Sequence, residues 1–377
     1  MKIKRQAIRF DRNEFAGALG DLGLAVPLIT AMIITNNLDA ASVLIMFGVF
    51  HIITGFVLGL PIPVQPLKAM AAIMLTLKPA KEVLFGAGLV VGIFFTILAF
   101  TNLTDKLDKI PRSVIRGIQF GLGISLIMTA LGYMQKDSYL GWILSFIGVL
   151  ITFAFYNSRR IPPALILIAI GVLVSFVLGV PMNLISSVGF SSPKFFTPSF
   201  NDILLGALIL AIPQIPLSLG NSIIATSSLT KDLFPSKQVS TRKLSLTVGL
   251  MNLVSPFFSG IPVCHGAGGL AGHFRFGGRT GGAVVIIGTF FVVIGLFFSH
   301  AFQEILGIFP LALLGVLLLF AGLDLALLVR ETSTKKEEFF ISLLVGSAII
   351  GLPYGYLIGI VGGCILSYLF NKGKIQI

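Results

Sequence analysis

The polar residues that fall inside long apolar runs of this chain are few, and their neighbours are unusual. Asp21 lies in "GALGDLGLAVP", Gln65 and Lys68 in "GLPIPVQPLKAMAA", Gln214 in "PQIP" and His265 in "GIPVCHGAGGLAG". None of them is a nucleophile with a paired base, and HExxH and GxSxG are both absent, so an intramembrane enzyme is not indicated. Cys264 and Cys364 are too few and too embedded in apolar sequence for a disulfide framework or a metal cage. No cofactor or metal is implied. "GAGGLAG" (266–272) carries the glycines of a dinucleotide fingerprint without its strand and helix setting. The chemistry left to this set is to hold an anion. A lysine at membrane depth costs about 2.5–3.5 kcal/mol and is functional by default.

The elements that position these residues are membrane helices. With 55% hydrophobic and 11% charged residues and a mean hydropathy of +0.99, the chain is not a water-soluble globule. Apolar runs of about 20 residues recur without period-2 alternation, which favours helices over a β-barrel. The reading is an all-α polytopic membrane protein of about 14 spans, near 15–35, 40–60, 66–78, 82–101, 113–131, 139–156, 161–180, 201–227, 241–260, 265–275, 280–299, 305–330, 336–352 and 354–371. The third and tenth are too short to cross alone.

With the N-terminus inside, Lys78, Lys81, Lys136 and Lys194 fall outside, Lys68 lies within a span, and the other 22 of the 27 basic residues face the cytoplasm. That bias implies cytoplasmic N- and C-termini and an even span count. The net charge of +12 is therefore spread over cytoplasmic segments of the bilayer-embedded chain, and nucleic acid is not a partner. The basic start "MKIKRQAIRFDRNEF" reads as a retained cytoplasmic tail and not as a signal peptide. No soluble domain is expected after the last span.

The chain echoes itself. "GALGDLGLAVP" (17–27) matches "GALILAIPQIP" (206–216), and "PIPVQP" (61–66) matches "GIPVCH" (260–265), in the same order. Two copies of an odd number of spans must be inverted relative to each other, which makes 1–180 a first repeat, 181–200 an exterior connection and 201–377 a second repeat. Pro/Gly-broken segments at corresponding places of inverted repeats mark a transporter site near the midplane. Extended backbone at that depth must be buried in protein or line a cavity, and proline lessens the problem because it has no N–H to satisfy. Each extended stretch is expected to lead into a half-helix, the two N-termini meeting at the centre. Each terminus brings roughly +0.5 charge and free N–H donors.

Gln65 and Lys68 stand at the first end, and His265, Gly266 and Gly268 at the second. Lys68 is an anion ligand or coupling charge, or else a snorkelling residue or the neutraliser of Asp21. Asp21 is a proton-coupling site, a counter-ion to Lys68, or a structural hydrogen bond to a helix end. Arg275 and Arg279 read as cytoplasmic anchors, His51 and His273 as satisfied structural histidines, and Asp324 as structural.

At these same residues the sequence resembles the molybdate transporter family, a branch of the SulP sulfate permeases. The likeness rests on "GALGDLG", "PIPVQPLKAMAA", "PQIPLSLGNSIIA", "DLFP" and above all "PVCHGAGGLAGHFRFGGRTGG". It implies a seven-plus-seven inverted repeat with core and gate domains, high-affinity uptake of molybdate, and no STAS domain. A homodimer through the gate domain is possible by the same analogy. The candidate substrate-binding set is Gln65, Lys68, Gln214, Asn221, Cys264, His265, Gly266, Ala267 and Gly268, with Asp21 as coupling or counter-ion residue. The expected function is secondary active import of a tetrahedral oxyanion, molybdate, with protons as the coupling ion, at the plasma membrane. The alternatives are a carrier or channel for sulfate or another oxyanion, and a nucleobase symporter. The last would need a carboxylate where this chain has His265.

Overall fold

A computed structural model describes residues 7–101, 111–136, 138–156, 158, 163–179, 187–352 and 354–375. The basic residues Lys2, Lys4, Arg5, Lys106, Lys109, Arg159 and Arg160, and residues 181–186 of the expected connection, lie outside the described residues.

The first expected span is a broken one. Helix α1 (Arg12–Ala18) passes through a tight turn at Leu19–Asp21 into α2 (Leu22–Asn36), with a bend of 48° between 12–21 and 25–36. Pro27 lies inside α2, where it cannot donate to the preceding turn. The Asp11 carboxylate caps α1 by accepting from the Asn13 and Glu14 amides. Helix α3 (Ala40–Leu58) starts on the Asp39 cap and stops at Gly59, whose φ of 63° turns the chain out of the helix. Lys237 Nζ donates to the Gly59 carbonyl at 2.8 Å.

Then comes extended chain with a two-residue strand β1 (Gln65–Pro66), the short helix α4 (Lys68–Leu77) and α5 (Lys81–Phe100). Helices α6 (Arg112–Lys136), α7 (Ser138–Phe155) and α8 (Pro163–Gly179) follow. Helix α9 (Phe200–Leu233) is longer than the sequence suggested. Pro213 and Pro216 interrupt its hydrogen bonding, and the turns on either side, Ala207–Ala211 and Ser218–Ile224, widen to π-type spacing.

Helix α10 (Thr241–Val254) leads to strand β2 (Val263–Cys264) and the short helix α11 (Ala267–Arg275). Next are α12 (Gly282–Phe297) and α13 (Ser299–Gly307), bent by 86° from each other. Pro310 then caps α14 (Leu311–Ala326), so the expected span at 305–330 begins later than read. Helices α15 (Lys336–Gly351) and α16 (Gly355–Asn371) complete the order. Five helices are by length and composition long and apolar enough to cross a membrane, and the two bent pairs would make seven.

Packing divides the helices into two groups. In one, α12 lies on α3 and α10 on α5, while α9 and α1 also pack on α5 and α12 respectively. Small residues permit the close crossings: a Cβ on Gly48 or Gly281 would overlap the backbone of Gly288 or Gly55 on the facing helix. In the other group α14 and α15 lie on α6, α16 on α15, and α7 on α8 and α14. Glu14 ties the first group together. Its buried carboxylate accepts from the amides of Thr280 (2.9 Å), Arg279 (3.1 Å) and Ala283 (3.1 Å) at the start of α12. One orphaned donor in the first turn of α12 and two in the loop before it are satisfied by a residue more than 250 positions away.

Candidate functional site

Strands β1 and β2 pair antiparallel, with Gln65 opposite Cys264 and Pro66 opposite Val263. Each short helix starts a few residues past its strand, so the paired strands bring the starts of α4 and α11 into one region. Everything near that centre follows from holding the extended backbone at this depth.

Pro61, Pro63 and Pro66 bring no donors. The Val64 amide donates to His51 Nε2 at 3.2 Å, and His51 Nδ1 donates back to the Phe47 carbonyl at 2.8 Å. The Leu67 amide donates to the Pro262 carbonyl. On the other strand Asn252 does two jobs: Nδ2 donates to the Val263 carbonyl (2.6 Å) and Oδ1 accepts from the Val263 amide (2.9 Å). Ser255 Oγ donates to the Ile261 carbonyl at 2.8 Å. His265 bridges the two segments, with Nδ1 donating to the Pro63 carbonyl at 3.0 Å and Nε2 meeting Thr247 Oγ1 at 2.7 Å. The sequence reading missed Asn252, Ser255 and Thr247. Polar residues with a helix-like setting in an otherwise apolar span were the available signal.

The two helix ends are not alike. At α4 the Gln214 Oε1 atom, reaching across from α9, accepts from the amides of Ala69 (2.8 Å) and Met70 (3.2 Å). Gln214 is itself oriented by donation from Nε2 to Ser218 Oγ at 2.8 Å. At α11 no described residue accepts from the amides of Ala267, Gly268 or Gly269. Gln65 Nε2 donates to Asp21 Oδ1 at 2.5 Å. The other oxygens, Asp21 Oδ2 and Gln65 Oε1, are buried without a partner among the described residues, as is His273 Nε2. His273 Nδ1 donates to the Gly17 carbonyl at 2.6 Å. There is no spare room at this junction. A Cβ on Gly269 would meet Asp21 Oδ1 at 2.5 Å and Gln65 Nε2 and Pro63 Cγ at 2.6 Å.

Burial sorts the candidate residues. Asp21, Gln65, Gln214, Cys264, His265 and Gly266 are buried, whereas Lys68, Asn221 and Ala267 are partly exposed and Gly268 is exposed. His265, with both ring nitrogens engaged, is a structural bridge here and not a free ligand or proton carrier. Lys68 makes no hydrogen bond or ion pair among the described residues. Asp21 therefore has Gln65, not Lys68, as its direct partner, although the lysine charge acts across space on Asp21, Cys264 and Asp324. The Lys68 ammonium and the free backbone donors at the start of α11 are the groups here with the chemistry to hold an anion.

A cavity of about 450 Å³ lies between the two groups of helices, and Gly268 is the candidate residue that lines it. Gly20 and Gly23 line it from the first span, Gly268, Ala271 and Arg275 from α11, and Tyr156, Leu317 and Asp324 from the other group. Arg275 Nη2 donates to the Ser158 carbonyl at 3.0 Å, joining α11 to the segment after α7. A larger cavity of about 700 Å³, lined by residues such as Thr76, Ser125 and Tyr356, touches none of the candidate residues. Among the described residues no group of histidine, cysteine and carboxylate side chains could hold a metal ion.

A protein-family model described as "Molybdate transporter of MFS superfamily" matches residues 13–126 and 206–325. The chain is 34% identical to Molybdate transporter 1 of Arabidopsis thaliana, across 96% of this chain and 90% of that protein. It is 32% identical to Molybdate transporter 2 of the same plant, across 92% and 86%. Among solved structures, the transmembrane domain of the cyanobacterium bicarbonate transporter BicA superposes with a TM-score of 0.70 at 16% identity, covering 96% of this chain and 98% of that one. Murine Slc26a9, an anion transporter solved in the inward-facing state, gives 0.72 at 14% identity, covering 99% and 70%. These structural likenesses speak for the fold alone.

Proposed function

Because the chain belongs to the molybdate transporter family of SulP-type membrane proteins, we propose that it is a secondary active carrier that brings molybdate into the cytoplasm, coupled to protons. The observation that carries this reading is the set of unbonded Ala267, Gly268 and Gly269 amides at the start of α11, with Gly268 lining a cavity, while Lys68 at the start of α4 has no partner among the described residues. A tetrahedral dianion meets donors from several directions there. Lys68 supplies the compensating charge, and the α11 terminus supplies directed N–H groups without a competing side chain at Gly268.

The packing supports an inverted duplication of seven spans. If α3 and α5 of the first copy correspond to α10 and α12 of the second, then the contact of α3 with α12 and that of α5 with α10 are the same contact made twice. On this reading the strands and short helices belong to a core domain with α9, and helices α6–α8 and α14–α16 form the gate against which it moves. The boundaries stay at 1–180, 181–200 and 201–377. The excess of basic residues supports cytoplasmic termini, and with that orientation the cavity bearing Arg275 opens inward.

Importing a dianion against an inside-negative potential costs about 2.3 kcal/mol per charge for each ~100 mV, so a cation must accompany it. Asp21 is the residue best suited to carry a proton: a buried carboxylate with one unpartnered oxygen, beside the anion site and on the moving core. Calorimetric titration of the detergent-purified protein with molybdate, sulfate and uracil tests the reading. Tight molybdate binding with weak sulfate binding is expected. Equal oxyanion affinities would remove the molybdate assignment, and uracil binding alone would remove the anion site.

A further inference from the structure

The cavity that reaches the candidate site contains a carboxylate for which the transport reading has no use. Asp324 stands on α14, in the group of helices opposite α11, and is exposed to the cavity. Tyr156, just past the end of α7, donates its hydroxyl to Asp324 Oδ1 at 3.3 Å, which holds the carboxylate on the cavity wall. The other charged group on that wall is Arg275 of α11, engaged by the Ser158 carbonyl. The faces contributed by the first span and by α8 bring Gly20, Gly23, Pro163 and Ala164, none of them titratable. Lys68 of α4 is the remaining charge that acts on Asp324. Asp324 thus has no ion pair among the described residues, while it shares one cavity with Gly268 and the field of Lys68 with the anion site.

We propose that Asp324 is a specificity-determining and release residue of the gate: a fixed negative charge that limits how tightly the inward-facing site holds its dianion. The inference rests on the anion-carrier reading. Ionised Asp324 competes with the substrate for the field of Lys68 and repels a bound dianion across the cavity. Protonated Asp324 does neither. An anion delivered by the core to this face therefore meets a weaker site than the helix end and lysine alone would make, and leaves sooner. The effect scales with ligand charge, so a dianion is penalised more than a monoanion of similar size.

The test is calorimetric titration of the full-length purified protein and its Asp324→Asn variant with micromolar molybdate, from about pH 4, near the ordinary aspartate value, to about pH 8. Wild-type affinity should fall as the pH rises and the carboxylate ionises. The variant should bind roughly ten-fold more tightly at the upper end, the scale expected for removing one like charge that faces a dianion across a partly watery cavity. Its affinity should vary less with pH than that of the wild type, because only the Asp21 contribution remains. In proteoliposomes the variant should show a lower KM and a lower kcat together, because release is slowed. Asp324→Glu, which keeps the charge, should retain the wild-type profile and controls for loss of the Tyr156 contact. Equal or weaker binding by a well-folded Asp324→Asn protein at every pH would overturn the proposal. A wild-type protein that binds no molybdate would remove the carrier reading first, and this proposal with it.

Discussion

Gln214 Oε1 accepts the backbone amide of Ala69 at 2.8 Å, so the first short helix is capped by a side chain from α9 while its counterpart α11 is left open. This asymmetry gives Gln214 a capping role at α4 and leaves the α11 amides as the free donors of the proposed site. Replacing Gln214 by Ala uncovers the amides of Ala69 and Met70 in a buried setting and should destabilise the protein by about 1–2 kcal/mol. A thermal melt in detergent measures the loss. Gln214→Glu would keep the cap but add a negative charge near the anion, so it should weaken molybdate binding while leaving the melt closer to wild type.

Lys68 has no protein partner among the described residues, so its removal leaves no orphaned acceptor. Lys68→Ala should therefore melt within about 0.5 kcal/mol of wild type, yet bind molybdate roughly 10- to 100-fold more weakly, the usual scale for losing a charge-assisted contact. Calorimetry on a variant of verified fold decides the matter. Unchanged affinity would make Lys68 a snorkelling residue.

Asp21 is expected to couple transport to protons. Asp21→Asn retains an oxygen for the Gln65 amide, so folding should survive and molybdate should still bind. Uptake into proteoliposomes should lose its response to an imposed pH gradient while exchange of internal for external molybdate continues. Wild-type uptake that ignores collapse of the pH gradient would sink proton coupling altogether.

Asp39, in the loop before α3, offers a pH test outside the membrane. Burial raises its pKa, but hydrogen bonds from Lys194 and Ser42 and the Lys194 charge outweigh burial and hold the carboxyl below its ordinary value of 3.8. Because the folded value is depressed, the stability this group adds is complete above the unfolded pKa. It is lost as the pH falls through the folded one. Lys194 Nζ lies 2.7 Å from Asp39 Oδ1, and the Lys194 backbone amide donates a hydrogen bond to Ser42 Oγ at 2.9 Å, which pins the exterior connection to α3. Asp39→Asn should lower the melting temperature at neutral pH, and the difference should shrink as the pH falls below the ordinary carboxylate value and through the folded one. A difference that persists at acid pH would mean that the Asp39 cap matters through its hydrogen bonds alone.

The amino-acid sequence by itself determined that the chain is a multi-pass membrane protein, roughly where its helices run, and which two stretches leave the helical pattern. It could do so because insertion into hydrocarbon imposes a long-range compositional rule, and because prolines at 61, 63 and 66 or glycines at 266, 268 and 269 act locally on the backbone. Lys68 and Asp21 stood out for the same reason: charge at that depth is expensive whatever surrounds it.

Partnership was decided only by the tertiary structure. Gln65 donates to Asp21, Gln214 caps α4, His265 bridges to Pro63 and Thr247, and Asn252 satisfies Val263, all between residues that local sequence does not connect. The same packing turned Asp324, which in sequence looked like a structural residue near a span end, into the carboxylate of the cavity. Hydrophobic and backbone terms are read from a residue and its neighbours, whereas the pairing of buried polar atoms depends on which helices cross at one depth, and that is fixed only when the two sets of spans pack together.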